Sequence, residues 1–260
     1  KHVTEYDFFE VNDDYRIPRI WPTYLARVMD AELINLAWPA DDNGSIIRRT
    51  MSYIATNFIE KKLPTDDIFV IIGWSSPERT SFWCDDGKQS YPLRLYPTIA
   101  TSVKDDEFKK FWEYYVTNLW NPEDYIRRFI FDAVQFENFC IRHKIKYLQF
   151  NSFYQTSGKN IYEWVDLNIA EEVTKLKSEI SCIYDSNIAR RKQETANYIT
   201  LWNTIDPVKF YNKDKLNSTF KGFIESKIED PYNKTWHPSP ESHYAWAQEL
   251  LRYIQEHKLI

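Results

Sequence analysis

Apolar positions along this chain alternate between helical and extended rhythms. Tyr24, Leu25, Val28 and Met29 form a helical stripe behind Trp21-Pro22, and proline suits a first helical turn, so a helix is predicted over 21–31. Residues 32–37 (Glu-Leu-Ile-Asn-Leu-Ala) read as a short strand. Ile46, Ile47, Met51, Ile54 and Phe58 share one side of a second helix over 46–61. Residues 67–73 (Asp-Ile-Phe-Val-Ile-Ile-Gly) are a continuous apolar run ended by glycine, the mark of a buried strand. The alternation then recurs. Asn121-Pro122-Glu123 caps a long helix reaching about Lys144, and residues 145–150 form the next strand. Ser239-Pro240-Glu241 opens a last helix with Tyr244, Trp246, Ala247, Leu250, Leu251 and Ile254 on its inner face. The stretch 157–217 shows only short elements, around 180–184 and 198–202.

Strand, helix, strand at these spacings makes crossover units with parallel strands. The fold class predicted is α/β: one domain over 1–260, three-layered and doubly wound around a mostly parallel sheet, with an irregular N-terminal arm over 1–20. Sheets of this kind bind ligands at the carboxyl ends of their strands. The loops after Leu36, Ile72 and Phe150 are therefore where chemistry is expected.

Composition narrows the function classes. With 260 residues, 43% hydrophobic and 27% charged, the chain can bury a full core without disulfides or metals. Five glycines and no G-x-G-x-x-G or Walker-type sequence argue against a nucleotide loop, and no cofactor is expected. A net charge of −5 with both signs interspersed gives no footprint for nucleic acid or an anionic membrane. Cys84, Cys140 and Cys182 are odd in number and far apart, which favours a reducing, cytoplasmic compartment. No apolar run approaches membrane-spanning length. Five histidines without H-x-x-x-H predict no metal site. The aromatic fraction, 17% with ten tryptophans, reads first as a ring-filled core and second as a sugar-stacking surface. Adjacent carboxylates such as Asp41-Asp42 read as caps and loops rather than a glycosidase pair, because neighbouring side chains point apart.

The strongest chemical signal is His237-Pro238-Ser239-Pro240-Glu241-Ser242-His243. It sets one histidine just before a helix cap and another on the first turn. A general base needs such a ring, held in place with a pKa near neutrality. By spacing alone the same residues also read as polar decoration of a helix start, with His243 packed against Trp246 or Tyr244.

This block resembles the final motif of the SGNH (GDSL-like) hydrolase superfamily, D-x-x-H-P-x-x-x-G-H-x-x-x-A. His237 and Pro238 match its catalytic histidine and proline, His243 its second histidine and Ala247 its small helix residue. Asn35-Leu36-Ala37 followed by Asn43-Gly44-Ser45 is similar to the second block, N-x-A-x-x-G-x-S-N, and Gly73-Trp74-Ser75 falls where the third, G-x-N-D, belongs. Trp21-Pro22, and Trp74-Ser75 with Arg79, look like bacteriophage-encoded members in particular.

The resemblance implies a serine esterase or deacetylase acting on an acylated carbohydrate or small ester. His237 would be its base, with Ala40, Asn43, Gly73, Ser75, Arg79 and His243 around the oxyanion and substrate. Three matches depart from the pattern. Ala40 stands for the oxyanion-hole glycine, Ser75 for the oxyanion-hole asparagine, and Lys234 for the acid ahead of the histidine. Losing one oxyanion donor typically costs about 10²–10³ in rate. The G-D-S or G-C-S nucleophile strand is absent from these residues, so the nucleophile is expected from an upstream piece or, less in keeping with the family, from Ser75 or Ser45. The other reading is a catalytically degenerate member that binds a viral or host protein, in the virion or the host cytoplasm. Fold alone does not choose between them.

Overall fold

The computed structural model describes residues 13–38, 41–85, 90–95, 106–119, 122–153, 197–213, 215, 218–234 and 237–260. The predicted element around 180–184, the Asn121 cap, Ala40 and Trp236 lie outside them.

Two parallel strands form the centre. β1 (Phe69–Trp74) and β4 (Lys146–Asn151) pair in register from Phe69 opposite Lys146 to Trp74 opposite Asn151. On the far edge of β4 the main chain at 209–211 adds a parallel bridge. Gln149 N–H donates to Lys209 O at 2.9 Å, and Tyr211 N–H donates to Gln149 O at 2.8 Å. β4 is therefore flanked on both edges, while the other edge of β1 pairs with no strand among the described residues.

Helices pack on both faces, and strand alternation decides which residue faces which layer. On one face Ile72, Trp74 and Tyr147 join a core with α2 (Asn43–Ile54) and α4 (Pro122–Arg142). The helical segment 197–203 adds Trp202 to that core. On the other face Leu148 and Phe150 meet α1 (Trp21–Val28), α5 (Phe220–Lys227) and α6 (Pro240–Glu256). Trp246, Leu250 and Ile254 recur on one side of α6 and are fully buried, the stripe expected from the sequence. Each such side chain contributes about 1.5–3 kcal/mol by leaving water. The arrangement is α/β, with more helix than strand.

Between β1 and α4 the chain makes an antiparallel hairpin, β2 (Thr80–Asp85) with β3 (Ser90–Leu95), and then α3 (Asp106–Tyr114). Neither was expected from the sequence pattern. The helix expected over 46–61 is α2 and a π-helical extension, Ala55–Ile59. The strand expected over 32–37 does not form. Residues 31–38 form no ladder, and Ile34 and Trp38 stand 44% and 61% exposed. Their polar groups find side chains instead of a strand: Ala37 N–H donates to Asn35 Oδ1, and Arg49 donates to Leu36 O. A strand needs a neighbour to bond, and no neighbour flanks this segment among the described residues. The arm expected to be irregular contains a helical turn, Asp13–Arg16, and a 3-10 turn, Ile17–Arg19.

Candidate site at the carboxyl ends of the parallel strands

The strand ends are held by the start of α2. Asp42 caps that helix, its carboxylate accepting from Ser45 N–H at 3.0 Å, from the Ser45 hydroxyl at 2.6 Å, and from the Ser81 hydroxyl. Asn43 then clamps the residue after β1. Its Nδ2 donates to Ser75 O at 3.2 Å, and its Oδ1 accepts from Ser75 N–H at 2.8 Å. Both ends of one buried amide thus serve the backbone of Ser75, so that N–H is engaged. The Ser75 hydroxyl, sealed from solvent, makes no hydrogen bond among the described residues.

Gly73 precedes this clamp, where no side chain fits. A Cβ there would lie 2.6 Å from the Phe150 ring and 2.8 Å from Ser152 Oγ. Across the pair, Ser152 N–H donates to Trp74 O at 3.0 Å. Asn151, opposite Trp74 and only 4% exposed, has an Nδ2 without a hydrogen-bond partner among the described residues. Arg79 reaches back over the Phe153 ring at 5.1 Å.

The histidines approach from the start of α6. Ser239 caps that helix by accepting from Ser242 N–H at 3.2 Å, and the Ser242 hydroxyl donates to Pro231 O at 2.7 Å. The His237 backbone is pinned to Asn233 in both directions, N–H to Oδ1 at 3.1 Å and O to N–H at 2.8 Å. This leaves the residue at the surface. His243 lies against Phe220, ring centroids 5.5 Å apart, and Phe220 in turn packs on Trp246 at 5.5 Å. Burial, and then the charge of His237, press its pKa down to about 4. His243 is therefore neutral at pH 7, although part of the residue still meets solvent.

The two groups border the same end of the sheet. Ser152 O accepts from Lys221 N–H at 2.9 Å, tying the end of β4 to the start of α5, whose Phe220 carries His243. Asn43, Gly73 and Ser75 are thus assembled, Arg79 stands on the neighbouring loop, and His237 and His243 lie on the opposite helix layer. A Ser75–His237 hydrogen bond is not formed. Ser45, the other internal serine, has its hydroxyl turned to Asp42 and accepts from Arg48 at 3.1 Å.

Residues not singled out in the sequence complete the picture. Asp132, on α4, has its carboxyl pushed up to about 6 by burial and then by the charge of Asp42, with Arg48 and Arg128 opposing. Nothing in its sequence context marks it except its place on a helix face. Asn151 carried one faint signal, a polar residue directly after an apolar strand run. No group of three or more His, Cys, Asp or Glu able to hold a metal occurs among the described residues. No helix among them is long and apolar enough to cross a membrane.

The sequence profile of a family of unknown function (DUF6071) matches residues 8–174, more than half of the chain, and the chain belongs to that family. The matched span holds Asn43, Gly73, Ser75, Arg79 and Asn151 but ends before the histidine block. No curated protein and no solved structure matches the chain.

Proposed function

We propose that this family member carries an SGNH-type ester-hydrolase site at the carboxyl ends of its parallel strands, acting on an acylated sugar or small ester. In this reading the sheet and its two helical layers are the three-layer, doubly wound core of that superfamily. The observation that carries it is the Asn43 clamp on Ser75, with the His237–His243 helix start bordering the same sheet end. His237 is the general base, at the surface and held by Asn233. The Ser75 backbone N–H is already used by Asn43, so its hydroxyl would be the oxyanion donor. The nucleophile is then a serine on a strand laid along the edge of β1 that pairs with no strand among the described residues, or Ser75 itself.

One observation favours a second reading, a binding protein on the same fold with catalysis lost. A working nucleophile is hydrogen-bonded to its base, and the Ser75 hydroxyl is not. Such a protein would dock a viral or host partner.

Intact-mass measurement after a fluorophosphonate probe separates these. A mass gain abolished by both His237→Ala and Ser75→Ala establishes a self-contained serine enzyme. A gain abolished by His237→Ala alone points to another serine, which peptide mapping locates. No gain, with or without residues added upstream of Lys1, removes the serine-enzyme reading and leaves the binding protein.

A further inference from the structure

Asn151 lies at the end of β4, in register with Trp74, and is almost wholly buried. Parallel register puts its side chain on the same face as Trp74 and, two residues back, Gln149. The Gln149 Oε1 accepts from the Trp74 indole at 3.0 Å, so that polar group has a structural use. The Gln149 Nε2 and the Asn151 Nδ2 are both closed off from solvent and donate to no group among the described residues, but only Asn151 stands at the end of the strand. Leaving a buried donor unsatisfied costs about 1–3 kcal/mol. A leucine, with the same branching and no polar atom, would avoid that cost. The neighbouring Ser75 hydroxyl, just past the other strand's end, is equally without a partner. Asn151 and Ser75 thus each carry an unmet polar group at the sheet end where ligands bind in parallel-strand folds.

We propose that Asn151 is a substrate-positioning residue of this site, its amide NH2 donating to an uncharged oxygen, carbonyl or hydroxyl, of the bound ligand. An amide recognises such an oxygen without bringing in a charge that would itself need a partner. The ligand's identity as an acylated sugar rests on the ester-hydrolase reading; the choice of residue rests on the buried, unpartnered nitrogen. The nitrogen is covered in the ligand-free chain, so ligand entry has to displace the side chains over it.

The test compares the unsubstituted chain with Asn151→Leu and Asn151→Asp, using 6-O-acetylglucose as the probe. Calorimetry reads binding, acetate release reads hydrolysis, and urea denaturation reads stability. Asn151→Leu is expected to weaken binding about tenfold while leaving stability equal or higher, because it deletes an unmet donor. Asn151→Asp, which exchanges the donor for an acceptor, is expected to weaken binding as well. If the unsubstituted chain hydrolyses the probe, the loss should fall on KM and leave kcat nearly unchanged. Binding without hydrolysis would sink the enzyme reading and keep this inference, provided the variants still lose affinity. Unchanged affinity in both variants, a stability loss in Asn151→Leu, or no binding by the unsubstituted chain would overturn it.

Discussion

On the face covered by α2 and α4 the central ring is Trp74, edge-on to Phe129 at 5.7 Å and Phe136 at 6.3 Å. On the face covered by α1, α5 and α6 it is Trp246, ringed by Phe150, Tyr211, Phe220 and Phe223 at 5.1–5.5 Å. Both indoles are fully buried at the centre of a ring cluster. They differ in their polar atoms. Trp74 N–H donates to Gln149, whereas Trp246 N–H has no partner among the described residues. Each face also shelters titratable groups, among them Asp132 beside α2 and His243 beside Phe220. Apolar packing is thus solved the same way twice, while the polar atoms inside it are treated differently.

The titratable groups give the largest expected effect, and the two pull in opposite directions. His243 has a folded pKa of about 4 against an ordinary value of 6.5. Below 6.5 the unfolded chain takes up a proton that the folded chain refuses, so stability falls as pH drops from 6.5 towards 4. The shift converts to about 3 kcal/mol. Measured by urea denaturation across this range, His243→Phe should remove that acid-side loss; an unaltered pH slope in the variant would refute the assignment.

The indole comparison comes next. Trp74→Phe strands the Gln149 carbonyl oxygen as well as opening space, whereas Trp246→Phe opens similar space but deletes an unmet donor. Trp74→Phe should therefore destabilise more, by about 1–3 kcal/mol. Equal losses in equilibrium unfolding would show that the Gln149 hydrogen bond adds nothing beyond packing.

The smallest effect belongs to Asp132. Its folded pKa of about 6 exceeds the ordinary 3.8. The folded chain holds that proton more tightly, so the carboxyl's contribution to stability is lost as pH rises from 3.8 through 6. Asp132→Asn should stabilise the protein at pH 8 by about 1–2 kcal/mol, less than the shift alone converts to because the side chain keeps some solvent contact. It should also steepen the acid-side loss from His243, since Asp132 opposes that loss between pH 4 and 6. A variant no more stable at pH 8 would place the Asp132 carboxyl in ordinary solvent.

Among the candidate residues, legibility followed the same divide between apolar pattern and polar partnership. His237 and His243 were readable because Ser239-Pro240-Glu241 announces a helix start, and Ser239 does cap α6. The cap of α2 was readable only as Asp41-Asp42 in a capping or loop role; the structure assigns it to Asp42. The Asn43 clamp was out of reach. Its partner is Ser75, thirty-two residues away, and nothing local records which backbone an amide will meet. Asp132 and Asn151 were missed for the same reason, since their burial comes from elements distant in the chain.

The sequence by itself determined the helices carrying strong apolar stripes, the continuous apolar strand over 67–73 and the mixed strand over 145–150, because periodicity and burial are written locally. Tertiary structure decided the rest. Residues 32–37 have strand-like composition but pair with no strand among the described residues, because a strand is a relation between two segments and not a property of one. The 209–211 edge of the sheet and the polar contacts at the strand ends likewise depend on neighbours brought from far along the chain. A hydrogen bond needs both partners placed within a few tenths of an ångström, and only the assembled layers supply that.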